Sequence, residues 1–141
     1  MNQPLTSVRC TVTVYVGGPD KPPAPLPAEL HYDLTDPCAV RLSLGAPLTR
    51  PVDWVFARSL LAEGRHLPTG IGDVQVTPVN TSRPPRVRLV LRTAAGAAVI
   101  EITATDVTSF LEQSFAVVPP GAESAYIDLD RAVAEVTGQS G

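Results

Sequence analysis

Lysine is almost missing from this chain of 141 residues: Lys21 is the only one, against ten arginines. That scarcity leaves no Schiff-base lysine in an apolar setting, and no G-x-x-x-x-G-K-[ST] phosphate loop occurs. Histidine stops at His31 and His66, and cysteine at Cys10 and Cys38, which form no C-x-x-C. A structural zinc needs four ligands, usually in close pairs, so no metal is expected and no cofactor is assigned. In a reducing compartment the two cysteines are expected as buried thiols and not as a disulfide. There is no G-x-S-x-G, and two histidines are a thin pool of general bases. No catalytic residue is assigned, and the chain is not expected to be an enzyme. No stretch without a charge exceeds ten residues, whereas a membrane helix needs about 18–20 apolar ones. The start, Met1-Asn2-Gln3-Pro4, lacks the basic and apolar regions of a signal peptide. The expected location is therefore the cytoplasm. A net charge of -3 argues against a generic nucleic-acid binder, whose domains are usually strongly basic.

What the chain does have is core. Leu, Ile, Val and Phe number 39, well above the roughly 20 % below which disorder is expected. One domain over residues 1–141 is expected, with frayed residues at 139–141. Residues 1–104 read mostly at period two, the strand period. Val8, Cys10, Val12, Val14 and Val16 share one face of a first strand, and Gly17-Gly18-Pro19 ends it. The loop at 19–27 is rich in proline, with Pro22, Pro23, Pro25 and Pro27 unable to donate to a ladder, so it reads as extended and polyproline-like. Further strands are expected through Leu30–Leu34, Val40–Leu44, Val52–Ala57, Val74–Val76, Val87–Leu91 and Ala97–Thr103. Arg58–Glu63 reads as one or two helical turns stopped by Gly64, and Thr69–Gly72 as a turn.

The period then becomes 3.6. Val107, Phe110, Leu111, Ser114, Phe115 and Val118 line one face of a helix, Thr103 or Thr105 can cap it, with Thr103 and Asp106 resembling a capping box, and Pro119-Pro120-Gly121 stops it. A second helix is expected from Asp128, with Leu129, Ala132, Val133 and Val136 inward. The fold class is α+β: about seven mostly antiparallel strands followed by two C-terminal helices. No internal repeat of 20–50 residues is visible.

Few residues point to chemistry. His31 and Asp33 share a strand face and could form a base–carboxylate pair, or simply belong to a polar face. Gly70-Ile71-Gly72 opens like a dinucleotide fingerprint, but Gln75 stands where the third glycine belongs and a strand follows. Arg86, Arg88 and Arg92 share the polar side of one strand. Such a stripe is either a solvent face, a protein-partner surface or a phosphate-binding strip. Trp54, the single tryptophan, is a core residue or an interface anchor.

From Leu30 to Asp130 the chain resembles the SsgA-like sporulation and cell-division proteins of actinobacteria. The resemblance is carried by His31-Tyr32-Asp33 with Asp36-Pro37, by Val52-Asp53-Trp54-Val55-Phe56-Ala57-Arg58 with Leu60-Leu61-Ala62-Glu63-Gly64, by Pro68-Thr69-Gly70-Ile71-Gly72-Asp73-Val74, and by Phe110-Leu111, Val118-Pro119-Pro120-Gly121 and Asp128-Leu129-Asp130. It departs from the family pattern at Cys38, commonly aromatic there, and in the proline-rich loop. The resemblance implies a whirly-like fold assembled as a homotrimer. It also implies a non-enzymatic adaptor at the cell-division septum during sporulation, helping to localise FtsZ, with FtsZ or another division protein as partner. Arg86, Arg88 and Arg92 are the candidate partner surface; Trp54, Phe56, Arg58 and Asp73 are the candidate structural motif. The alternative is a single-stranded nucleic-acid-binding module using the arginine face of the 86–92 strand.

Overall fold

The computed structural model describes residues 6–18, 21–45, 52–94 and 96–125. The elements run β1 (Ser7–Gly18), β2 (Lys21–Asp33), β3 (Ala39–Leu44), β4 (Val52–Ala57), α1 (Arg58–Gly64), β5 (Thr69–Ile71), β6 (Val74–Val79), β7 (Arg86–Thr93), β8 (Gly96–Thr103) and α2 (Ala104–Val117). All strands pair antiparallel in one sheet, ordered β4-β3-β2-β1-β8-β7-β6-β5. Two four-stranded meanders thus meet where β1 lies against β8. Each meander leads into a helix, so the chain reads ββββα twice although no sequence repeat announces it.

Alternation sets the sheet's inner face. Val8, Val12 and Val14 of β1, Leu30 and Tyr32 of β2, Val40 and Leu42 of β3, and Val87, Leu89 and Leu91 of β7 are all buried. The helix α2 lies over β1, β7 and β8 and buries Val107, Phe110, Leu111, Ser114 and Val117 against them. The shorter α1 packs Leu60 and Leu61 inward and touches both β4 and the β5–β6 hairpin. Since β4 and β5 are the two ends of the sheet order, one short helix can reach both only if the sheet curls until its edges approach. Gly64 permits this approach: a Cβ there would run into Cγ1 and Cβ of Val76.

Four expectations need correction. The sheet has eight strands, not seven, because Thr69–Ile71 pairs with Val74–Val76 around Gly72 at φ +60°; three residues containing a glycine carry no visible period. The proline-rich stretch is not a loop but the first half of β2, paired with β1 from Thr13↔Pro27 to Gly18↔Lys21. The Gly45 N–H donates to the Pro27 carbonyl at 2.7 Å, so the nitrogens of Pro27 and Pro25 point away from β1. On that side β3 pairs only from Ala28 onward, and no ladder bond is lost. Pro22 and Pro23 fall at a register shift between Val16 and Gly18. Thr103 is the N-cap of α2, yet its side chain makes no cap bond; the Ala104 N–H goes to the Pro85 carbonyl at 2.9 Å instead. Finally, Cys38 is exposed in the β2–β3 turn while Cys10 is half-buried, and both are free thiols. The helix expected from Asp128 lies outside the described residues.

Candidate functional site

The strand register places Arg88 directly opposite Glu101, and Glu101 directly opposite Tyr15. On this outward face Arg88 Nη2 lies 2.8 Å and Arg86 Nη1 3.3 Å from the two Glu101 carboxylate oxygens. The Arg86 guanidinium also stacks 4.1 Å above the Tyr15 ring. Arg92 donates to Gln75 Oε1 at 3.2 Å. The three predicted arginines therefore do share a face, but two converge on one carboxylate. Glu101 is the partner that the sequence alone does not reveal: the observed register, running from Thr93↔Gly96 to Arg86↔Thr103, sets it opposite Arg88, whereas a turn centred one residue later would set it opposite Val90. Arg88 keeps 43 % of its side chain exposed, so part of the stripe still faces solvent.

The Trp54, Phe56, Arg58 and Asp73 group divides in two. Trp54, Phe56 and Asp73 line a cavity of about 370 Å³ with Val55, Ala57, Leu60 and Val74, where the curled sheet brings β4 toward the start of β6. The Asp73 carbonyl accepts the Arg92 N–H at 2.9 Å, which ties the β5–β6 turn to β7.

Arg58 points elsewhere, into the interior, and is only 1 % exposed. Its backbone N–H donates to the Cys38 carbonyl at 2.7 Å. Its guanidinium donates to the carbonyls of Ser114 (3.1 Å) and Val118 (2.8 Å) and to Glu123 Oε2 (2.8 Å). It packs between the rings of Tyr32 and Phe115, at 4.7 and 5.0 Å. Those carbonyls belong to the end of α2, where the dipole favours a cation; the Ser114 carbonyl also accepts the Val118 N–H at 3.0 Å. Burial works to raise the Glu123 carboxyl, but the Arg58 hydrogen bond and charge outweigh it and hold the group below its usual value. Tyr32, whose hydroxyl donates to the Pro37 carbonyl at 2.8 Å, is pushed up to about 12, chiefly by burial.

His31 and Asp33 do not pair. His31 Nε2 donates to Glu29 at 3.1 Å, while Asp33 accepts the amide and hydroxyl of Thr35 at 2.9 and 2.8 Å. Both are engaged in structure. Gly70-Ile71-Gly72 turns the β5–β6 hairpin and opens no helix.

The site is thus part of an antiparallel α+β sheet whose arginines tie strand to strand and helix to sheet. The chain belongs to the SsgA family: the model described as "Streptomyces sporulation and cell division protein, SsgA" matches residues 26–123. It is 38 % identical over 135 residues to the sporulation-specific cell division protein SsgB of Streptomyces coelicolor, spanning 96 % of this chain and 98 % of that one. The SsgB protein of Kineococcus radiotolerans is 41 % identical over 133 residues, 93 % of this chain and 80 % of its own. The crystal structure of an SsgA-like sporulation-specific cell division protein from Thermobifida fusca matches with a TM-score of 0.86 at 36 % identity, covering 96 % and 98 % of the two chains. The family expected from the tryptophan and glycine motifs is the one found. No helix among the described residues is long and apolar enough to cross a membrane.

Proposed function

We propose that this protein is an adaptor of sporulation-specific septation, one that engages FtsZ or another division protein and helps localise FtsZ at septum sites. The observation that carries this is its near full-length similarity to SsgB proteins, themselves named sporulation-specific cell division proteins. The fold supports it with a rigid curled sheet and outward side chains available to a partner. The adaptor works in the cytoplasm at the division septum, as a whirly-like homotrimer and without catalysis. The exposed part of the Arg86, Arg88 and Arg92 face is one candidate contact.

The test is capture of purified FtsZ by the wild type and by an Arg86/Arg88/Arg92→Ala variant, with light scattering to read the oligomer mass. Retention by the wild type supports the adaptor, and no capture of FtsZ or of any other division protein refutes it. A nucleic-acid reading has one observation in its favour, the Arg86–Tyr15 stack. Against it stands Glu101, which meets two of the three arginines. Salt-sensitive binding of an oligonucleotide that the triple variant loses would revive it.

A further inference from the structure

On the outward face of the first meander, Arg9 of β1, His31 of β2, Arg41 of β3 and Val55 of β4 stand directly opposite one another across four strands. This row lines a cavity of about 720 Å³, completed by Ser7, Asp33 and Asp36 among others. The two arginines here differ from those already described. Arg58, Arg65, Arg86, Arg88 and Arg92 each donate to an oxygen, whereas Arg9 and Arg41 make no hydrogen bond or ion pair among the described residues. Two of the acids nearby are already occupied, Glu29 by His31 and Asp33 by Thr35, and Asp36 stands at one end of the groove. Burial, then the charge of Arg41, lowers the His31 pKa, which leaves the imidazole neutral and the positive charge of the row on the two guanidiniums. Two like charges flank one residue in register, with no carboxylate opposite either of them among the described residues.

Strands lie about 4.8 Å apart, so the Arg9 and Arg41 stems are about 10 Å apart. That spacing suits two separate anionic groups better than one compact anion, and carboxylates on alternate residues of an extended chain lie about 7 Å apart. We propose that this groove is the docking site for an acidic, extended segment of the partner protein, with alternate carboxylates on Arg9 and Arg41 and an apolar neighbour on Val55, which is 60 % exposed at the edge strand. This rests on the adaptor reading and names a contact surface for it. A nucleic acid fits less well. Tyr32, the one Phe, Tyr or Trp in the lining, is buried beside Arg58 instead of offering a stacking platform.

The probe is a short fluorescent peptide with glutamate at alternate positions, its glutamine counterpart and an oligothymidylate, each titrated by anisotropy against the full chain. The wild type is expected to bind the glutamate peptide in a salt-sensitive way and to ignore the glutamine one. Arg9→Gln/Arg41→Gln should weaken binding by roughly tenfold or more with an unchanged melting temperature, and Arg83→Gln, in an exposed turn, should bind as the wild type does. Equal binding by the double variant, no binding of the glutamate peptide, or tighter binding of oligothymidylate overturns the proposal. Peptide binding with no capture of FtsZ or of any other division protein leaves the groove standing and refutes the adaptor reading, so the two failures are distinguishable.

Discussion

Arg58 sits in the interior against two helix-end carbonyls, one carboxylate and two aromatic faces, with only its Nε lacking a partner among the described residues. Removing one partner of such a pair leaves an unpaired buried charge or unsatisfied acceptors, a cost of about 3–5 kcal/mol. Arg58→Ala is therefore expected to lower unfolding free energy by about that amount in urea titrations. The Glu123 carboxyl ionises at lower pH in the folded chain than in the unfolded one. Its pair with Arg58 thus stabilises at and above the ordinary glutamate range and fades as pH falls through the folded value. Melting curves below that range should flatten in Glu123→Gln relative to wild type. His31 follows the same sign from the opposite chemistry: its folded pKa lies below 6.5, so its contribution is present above 6.5 and is lost on acidification. An imidazole titration by NMR with a midpoint below 6.5 is the expected reading. Motif W-x-F-A-R was legible in the sequence, but its arginine's role was not, because Ser114, Val118 and Glu123 lie 56 to 65 residues away.

Among the elements, α1 depends on one missing methyl. In Gly64→Ala the new Cβ meets branched Val76 of a paired strand, which has no free end to swing aside. A loss of about 1–3 kcal/mol is expected, the cost of overpacking a filled site, with partial recovery in Gly64→Ala/Val76→Ala as the check on mechanism. The neighbouring cavity frames a second test. Trp54 is packed against the core beside Phe56, so Trp54→Ala should lower the melting temperature by removing apolar contact; an unchanged temperature and oligomer mass would show that it anchors nothing. Most strand faces and the long helix could be read from periodicity, since Val8 to Val14 and Val107 to Val118 alternate or recur as their burial does. The first half of β2 could not. Its prolines are local strand-breakers, and only the pairing with β1 shows that the nitrogens of Pro25 and Pro27 face away from it.

Across the whole molecule, two ββββα units share one curled sheet through the β1–β8 seam. The curl brings β4 near β6 and leaves the outward faces of the two meanders with contrasting electrostatics: Arg86 and Arg88 paired with Glu101 on β7–β8, Arg9 and Arg41 without an ion pair among the described residues on β1–β3. Local order along the chain decided the inward residues, the long helix, the turn at Gly72 and, through the tryptophan and glycine motifs, the family. Those features depend on neighbours within a few positions and are written in their period. Which charges cancel and which stay available depends on register between strands distant in sequence. Arg9, His31 and Arg41 look like three unrelated polar residues until pairing sets them side by side. The scarcity of lysine ends as a statement about arginine: its planar fork serves as buried clamp, as cross-strand tie and, in the Arg9–Arg41 groove, as an open hand for carboxylates.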